Sequence, residues 1–396
     1  MIKRAALGDF YTVRMFLRDH GADVNAKTEN GYTALMMASG NGHLGVVRFL
    51  MKQDKVDLNA KNDNGWTALM TASMSGKWDV VRELVEQDKA DANAKCVDGE
   101  TAFMFACVSN HVRVVRDLVV LDKVDVNAKC KIGWTALMKA STHCHLDVVR
   151  ELLKHDKVDV NAKNNVGCTA LMVAIATGNL AVINELAKHD KVDINAKCDD
   201  GLTALMFASA YGHLDVVCEL AKHSKIDLNA KDEDGCTALV VASVAGNWDV
   251  VGELAKHVKV DVNAKGEGGQ TALMMASIAG NLDVVRKLVN HSRIEVNAHD
   301  GQGFTAFYFA SYHKQWDIVE ALASADADVN IRGPLGNTAL FWAILSGSVD
   351  TVSMLLKCEM IDVSIRNKAG STALDVARNC QMLDIAKCLD DHICSR

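Results

Sequence analysis

Apolar and polar positions along the chain recur with one long period. The tripeptide Thr-Ala-Leu, or Thr-Ala-Phe, begins at Thr33, Thr67, Thr101, Thr135, Thr169, Thr203, Thr237, Thr271, Thr305, Thr338 and Thr372. The step is 34 residues everywhere except from Thr305 to Thr338, where it is 33. Each period can be read physically from one copy, Gly65-Trp66-Thr67-Ala68-Leu69-Met70-Thr71-Ala72-Ser73-Met74-Ser75-Gly76. A threonine just after a glycine turn is placed as an N-cap, where its hydroxyl can accept a free N–H of the first helical turn. Leu69 and Ala72 share one face of a short helix, and Gly76 supplies a left-handed stop. A second helix is expected from about Lys77 to Gln87, with Val80, Val81, Leu84 and Val85 at helical spacing. A polar, extended turn region from Asp88 then leads to the next glycine turn near Gly99. Such a unit cannot bury its apolar face alone, so the pattern predicts stacked repeats.

Length by itself would suggest two or three domains for 396 residues. The unbroken period predicts one instead: a partial repeat over 1–31, internal repeats over 32–370 and a capping repeat over 371–396. Stacked at a helix diameter, eleven units would run about 110 Å. With 49% hydrophobic residues the chain is not a solvated disordered polymer. Lys and Arg total 43 against 50 Asp and Glu, so nucleic acid is not the expected partner. Pro334 is the one proline; punctuation falls to glycine. No apolar run is long enough for membrane insertion. The opening residues lack the apolar stretch of a signal peptide, and the 12 cysteines contain no CxxC pair. The chain therefore reads as a reduced, cytoplasmic protein.

The pattern resembles the ankyrin repeat, whose signature is Thr-Pro-Leu-His-x-Ala. His-Leu-Asp-Val-Val at 145–149 and 213–217, and Asp-Val-Asn-Ala-Lys at 125–129, strengthen the likeness, which covers essentially the whole chain. The resemblance implies an all-α repeat solenoid of helix-turn-helix units with short β-hairpin loops. Alanine stands in place of the family's proline. Methionine replaces the family's histidine at Met36, Met70, Met104, Met138, Met172, Met206 and Met274, so a thioether row is expected to hold that position by packing. The extra residue of the 34-residue period falls after the second helix, as at His155–Asp159.

Chemistry is sparse. Lys139, His143, Cys144 and His145 form the sharpest local cluster, and it reads as an irregular binding surface more readily than as a metal or nucleophile site. No phosphate-cradling loop, GxSxG or paired-carboxylate motif is present. A non-enzyme without cofactor or metal is expected. Same-column cysteines such as Cys96, Cys130 and Cys198, or Cys168 and Cys236, lie too far apart for disulfides. Lysine columns (Lys27, Lys61, Lys95 and onward; Lys55, Lys89, Lys123 and onward) run beside acids such as Asp57 and Asp91 and are expected to solvate a face.

The residue before each threonine varies freely. The resemblance implies that this position and the end of the first helix look into a concave groove; packing on the next repeat is the alternative. The candidate partner-binding residues are Tyr32, Trp66, Trp134, Lys139, His143, Tyr211, Phe304, Tyr312 and His313. Trp78, Trp248 and Trp316 replace a leucine and are expected in the core. The Asp-Val-Asn-Ala motifs resemble asparaginyl hydroxylase targets that carry a leucine eight residues upstream. Leu17 before Asn25 and Leu153 before Asn161 fit, whereas Ala187 before Asn195 does not. The expected function is a monomeric scaffold that binds a protein partner through its groove and hairpin tips. The alternative is a targeting or effector subunit of a larger enzyme assembly, in ubiquitin ligation or as a host-directed microbial effector.

Overall fold

The computed structural model describes residues 1–395, among which there are 24 α-helices, one 3-10 turn and no strand. They fall into two compact units, Met1–Asp199 and Asp200–Arg396. The boundary lies within a hairpin loop, and the sequence period continues through it. In each unit a repeat contributes two helices, as in Ala68–Met74 with Trp78–Val85, or Ala204–Tyr211 with Leu214–Ala221. First helices pack on the first helices of adjacent repeats, and second helices on second helices. The loops between repeats narrow to turns closed by bonds such as Asn62 N–H to the Trp66 carbonyl at 3.0 Å. Only isolated bridges form there, at Lys265–Thr271, His299–Thr305 and Arg366–Thr372.

The local chemistry follows from the repeat. Thr33, Thr67, Thr101, Thr135, Thr203, Thr271, Thr305 and Thr372 each accept the N–H three residues on. The methionine row is buried as expected, but it does more than pack. The sulfurs of Met70, Met172 and Met206 each stand 3.4 Å from the N–H of their capping threonine and accept from it. The thioether thus returns the cap's hydrogen bond, as a Glu or Gln does in a capping box. The stop position between the two helices is left-handed whether or not it is glycine: Asn110, Cys144, Lys314 and Gln381 have φ of 57–61°. Gly65 has a second reason to be glycine, since a Cβ there would lie 2.9 Å from the Val97 amide of the next hairpin. In the one repeat of 33 residues, Asp326 takes positive φ to close the shorter loop after the second helix.

The Asp-Val-Asn motif is a brace between repeats. Asp57 Oδ1 accepts the Asn59 N–H at 2.9 Å. Asn59 then reaches into the next repeat, donating to the Lys89 carbonyl at 2.8 Å and accepting from the Asp91 N–H at 2.7 Å. The same pair of bonds recurs at Asn25, Asn93, Asn127, Asn161, Asn229, Asn263 and Asn330. The first lysine column is exposed, and it also ties neighbouring repeats together. Lys27, Lys61, Lys95, Lys129 and Lys163 each donate to the carbonyl 34 residues on, at 2.6–2.9 Å. An ammonium on a long, flexible apolar stem reaches a loop carbonyl of the next repeat and satisfies it.

Apolar side chains from both helices make the core, and Phe103, Phe307 and Phe341 are its largest fully buried members. The three tryptophans expected there are only half-buried. Each opens a second helix, and an indole keeps an N–H that needs a partner. Trp78 accordingly donates to the Asp117 carboxylate and lies under the Arg113 guanidinium, 3.5 Å from the ring centre.

Candidate protein-binding surface

Three positions of each repeat meet on one surface: the residue before the threonine, and the fourth and seventh residues after it. The first unit shows how they meet. Trp66, before its threonine, lies on Phe105 of the next repeat, ring centres 4.8 Å apart. Glu100 reaches Lys139 of the next repeat at 2.5 Å, and both side chains are only 17% exposed. The Lys139 ammonium also lies 5.7 Å from the Trp134 ring. Trp66 and Trp134 are therefore half-buried packing groups as well as surface groups. Tyr32 is similarly half-buried. The two strangest residues of the column pattern, Glu100 and Lys139, compensate one another.

The cluster around Lys139 does not converge. His143 is exposed, with Nδ1 2.8 Å from its own helix's Lys139 carbonyl and its ring stacked 5.8 Å from His145. His145 turns the other way, its Nε2 2.7 Å from the Val108 carbonyl of the preceding repeat. His43 and His111 make the same bond to Ala6 and Met74, at 2.9 Å. The Cys144 thiol rests near Thr177 Oγ1 at 3.7 Å. Nothing in this group aims a nucleophile and a base at a common point. Among the described residues no group of three His, Cys, Asp or Glu could hold a metal ion.

In the second unit the same surface is open. Cys236 and Gln270 take the places of the large hairpin residues, and the end of the first helix carries Ala210, Ala245 and Ala279. A groove of about 770 Å³ results. Val241, Val244, Met275 and Ile278 form its apolar floor, and Asp232, Asp234 and Glu267 stand along its hairpin side. Tyr211 is 55% exposed on the repeat before, stacked on Phe207. Further along, Phe304, Tyr308 and Tyr312 form a stacked row, centres 4.4 and 6.0 Å apart, and Trp342 meets Tyr312 edge-on at 5.3 Å. Burial pushes the Tyr308 phenol above its ordinary pKa. Tyr312 and His313 are exposed, while Phe304 is half-buried under this row.

Asn25 and Asn161 lie away from these residues, in the inter-repeat brace. Their amides are both engaged, by Lys55 and Asp57 and by Lys191 and Asp193.

Stacked helix-turn-helix units of fixed length, joined by tight loops, define an all-α repeat solenoid. Family models described as "Ankyrin repeats (3 copies)" match residues 2–96, 55–130, 103–198, 152–232, 171–266 and 239–333, and one described as "Ankyrin repeat" matches 335–368. The chain belongs to the ankyrin repeat family. Ankyrin repeats are generally protein–protein interaction modules, and proteins built from them are generally non-catalytic. No helix among the described residues is long and apolar enough to cross a membrane.

Proposed function

We propose that the chain is a non-catalytic scaffold that acts in the cytoplasm as a monomeric solenoid and holds a protein partner. The contact surface is made by the ends of the first helices and the hairpin tips. One observation carries this reading. Half of the exposed large apolar side chains stand at those two places: Met74, Tyr211, Val244, Tyr312 and Leu345 at helix ends, and Val97, Ile132, Val166 and Leu335 at hairpin tips. The others, such as Val120, Val258 and Met360 after second helices, are scattered. The repeat cores are already filled, so these residues contribute little to folding and much to a contact that removes them from water. Tyr32, Trp66, Trp134, Lys139, His143, Phe304 and His313 flank them and complete the surface, the half-buried tryptophans as rigid walls.

The test is a variant carrying Tyr211→Ser, Val244→Ser and Tyr312→Ser, compared with wild type in quantitative capture from source cells. A partner retained by wild type should fall at least tenfold in the variant, with the thermal midpoint unchanged. Equal capture by both proteins would refute this surface.

A further inference from the structure

The groove of the second unit is built to choose its occupant by charge. Resting on the reading that this surface binds a protein partner, we propose that the occupant is a basic amphipathic segment. Its apolar side chains would lie on the floor, with lysine or arginine turned toward the hairpins.

The floor is apolar and exposed, with Val244 alone 72% open to solvent. The rim is acidic. Asp232, Asp234 and Glu267 line the groove, and no lysine or arginine does. Asp232 uses Oδ1 to brace its own turn, accepting the N–H groups of Asp234 and Cys236 at 3.1 and 2.8 Å. That bond pins the carboxylate at the groove edge while its second oxygen remains for a partner. Lys265, two residues before Glu267, is held on the His299 carbonyl at 2.7 Å. Three like charges from two neighbouring hairpins, set beside an apolar floor of low polarisability, repel an anionic segment and attract a cationic one. An apolar segment without cations would fill the floor and leave the carboxylates facing its polar side unpaired.

The probes are three fluorescein-labelled helical peptides of one length and one leucine face, with lysine, glutamine or glutamate on the polar face. Binding to the full chain is followed by fluorescence anisotropy. The lysine peptide should bind at least tenfold more tightly than the glutamine peptide, and that advantage should shrink as salt is raised. The rim variant Asp232→Asn, Asp234→Asn, Glu267→Gln should abolish the advantage. Asparagine already stands at the first two positions in the turn of Asn62 and Asn64, so the turn survives the change. A second variant, Asp215→Asn, Asp283→Asn, Asp317→Asn, removes the same charge from exposed sites outside the groove and should keep the advantage. An advantage that survives the rim variant, or that the second variant removes equally, overturns the proposal. If the glutamine peptide binds as tightly as the lysine one and both weaken at Val244→Ser, the basic occupant falls while the groove stands. If no peptide responds to Val244→Ser or Tyr211→Ser, the groove itself falls.

Discussion

The first and second units share a repeat and a core yet differ at one surface. In the first, Trp66 and Glu100 lean from the hairpins onto the next repeat's first helix, Glu100 pairing with Lys139, while Trp134 lies beside Lys139 of its own repeat. In the second, Cys236 and Gln270 stand at the equivalent places and the surface opens into a groove. At these repeats the bulk of one variable side chain separates a filled face, around Trp66 and Glu100, from a receptive one, around Cys236 and Gln270. The backbone need not change.

If the cores are equivalent, equal damage should cost equally. Phe103→Ala and Phe307→Ala are each expected to destabilise by about 3–5 kcal/mol, since both rings are fully buried. Urea unfolding of the two variants would show it; a clear inequality would mean that the units differ in more than their faces. Lys139→Ala should cost about 2 kcal/mol, below the value for a fully buried pair because both side chains keep some solvent. The double change Glu100→Leu, Lys139→Met takes the residues found at Leu202 and Met275 and should restore stability. A double variant no better than the single one would break the idea of compensation.

The comparison can also be inverted. Cys236→Trp copies Trp66 into the second unit, where the new ring would lie over Met275. Affinity for a groove-bound partner or for the lysine peptide should fall at least tenfold, about 1.4 kcal/mol, with the melting temperature held. Retained affinity would show that the occupant does not use this part of the floor.

A smaller effect distinguishes the first unit by pH. Burial pushes the Glu151 carboxyl up, but hydrogen bonds from Arg116 and Lys154 outweigh it and hold the pKa below the ordinary carboxylate value. A pKa lowered by folding gives stability that is present above about pH 4.3 and lost as pH falls through the folded value. Glu151→Gln should therefore lower the urea midpoint near neutrality and converge with wild type in acid. A constant gap down to acid pH would assign the loss to packing. The smallest effect concerns the braces. Exposed to an asparaginyl hydroxylase, Asn25 and Asn161 should be modified before Asn195, as read by mass spectrometry. The reverse order would reject the role given to the upstream leucine.

Much of this was legible from residue order. Thr67 as a cap, Gly76 as a left-handed stop and Val80, Val81, Leu84 and Val85 as a buried face are local facts, readable within one turn of chain. What escaped was the register between columns. Lys139 looked like an unexplained break because its partner lies 39 residues away, and a period reports which residues are equivalent, not which of them touch. The bonds made by the exposed lysine column escaped for the same reason: their acceptors are main-chain carbonyls, which leave no mark in a sequence. The acidic edge of the groove was missed because Asp232, Asp234 and Glu267 belong to two different hairpins. The tryptophans that open second helices were misplaced because they replace a leucine, whereas a helix's first residue sits at the edge of its packing and Leu44 and Leu146 there are themselves half-buried.

The asparagine brace carries a consequence for how such a chain can change over generations. Every inter-repeat bond it makes is to a main-chain carbonyl or amide, so it asks nothing of the neighbour's side chains. As far as the brace is concerned, adjacent repeats need not be matched in identity; pairs such as Glu100–Lys139 add a match of their own. Duplication or loss of a 34-residue block would leave a seam of the same kind as those already present. Cohesion and recognition are thereby inherited separately. The face positions can drift toward new partners while the asparagine brace stays indifferent to what the faces have become.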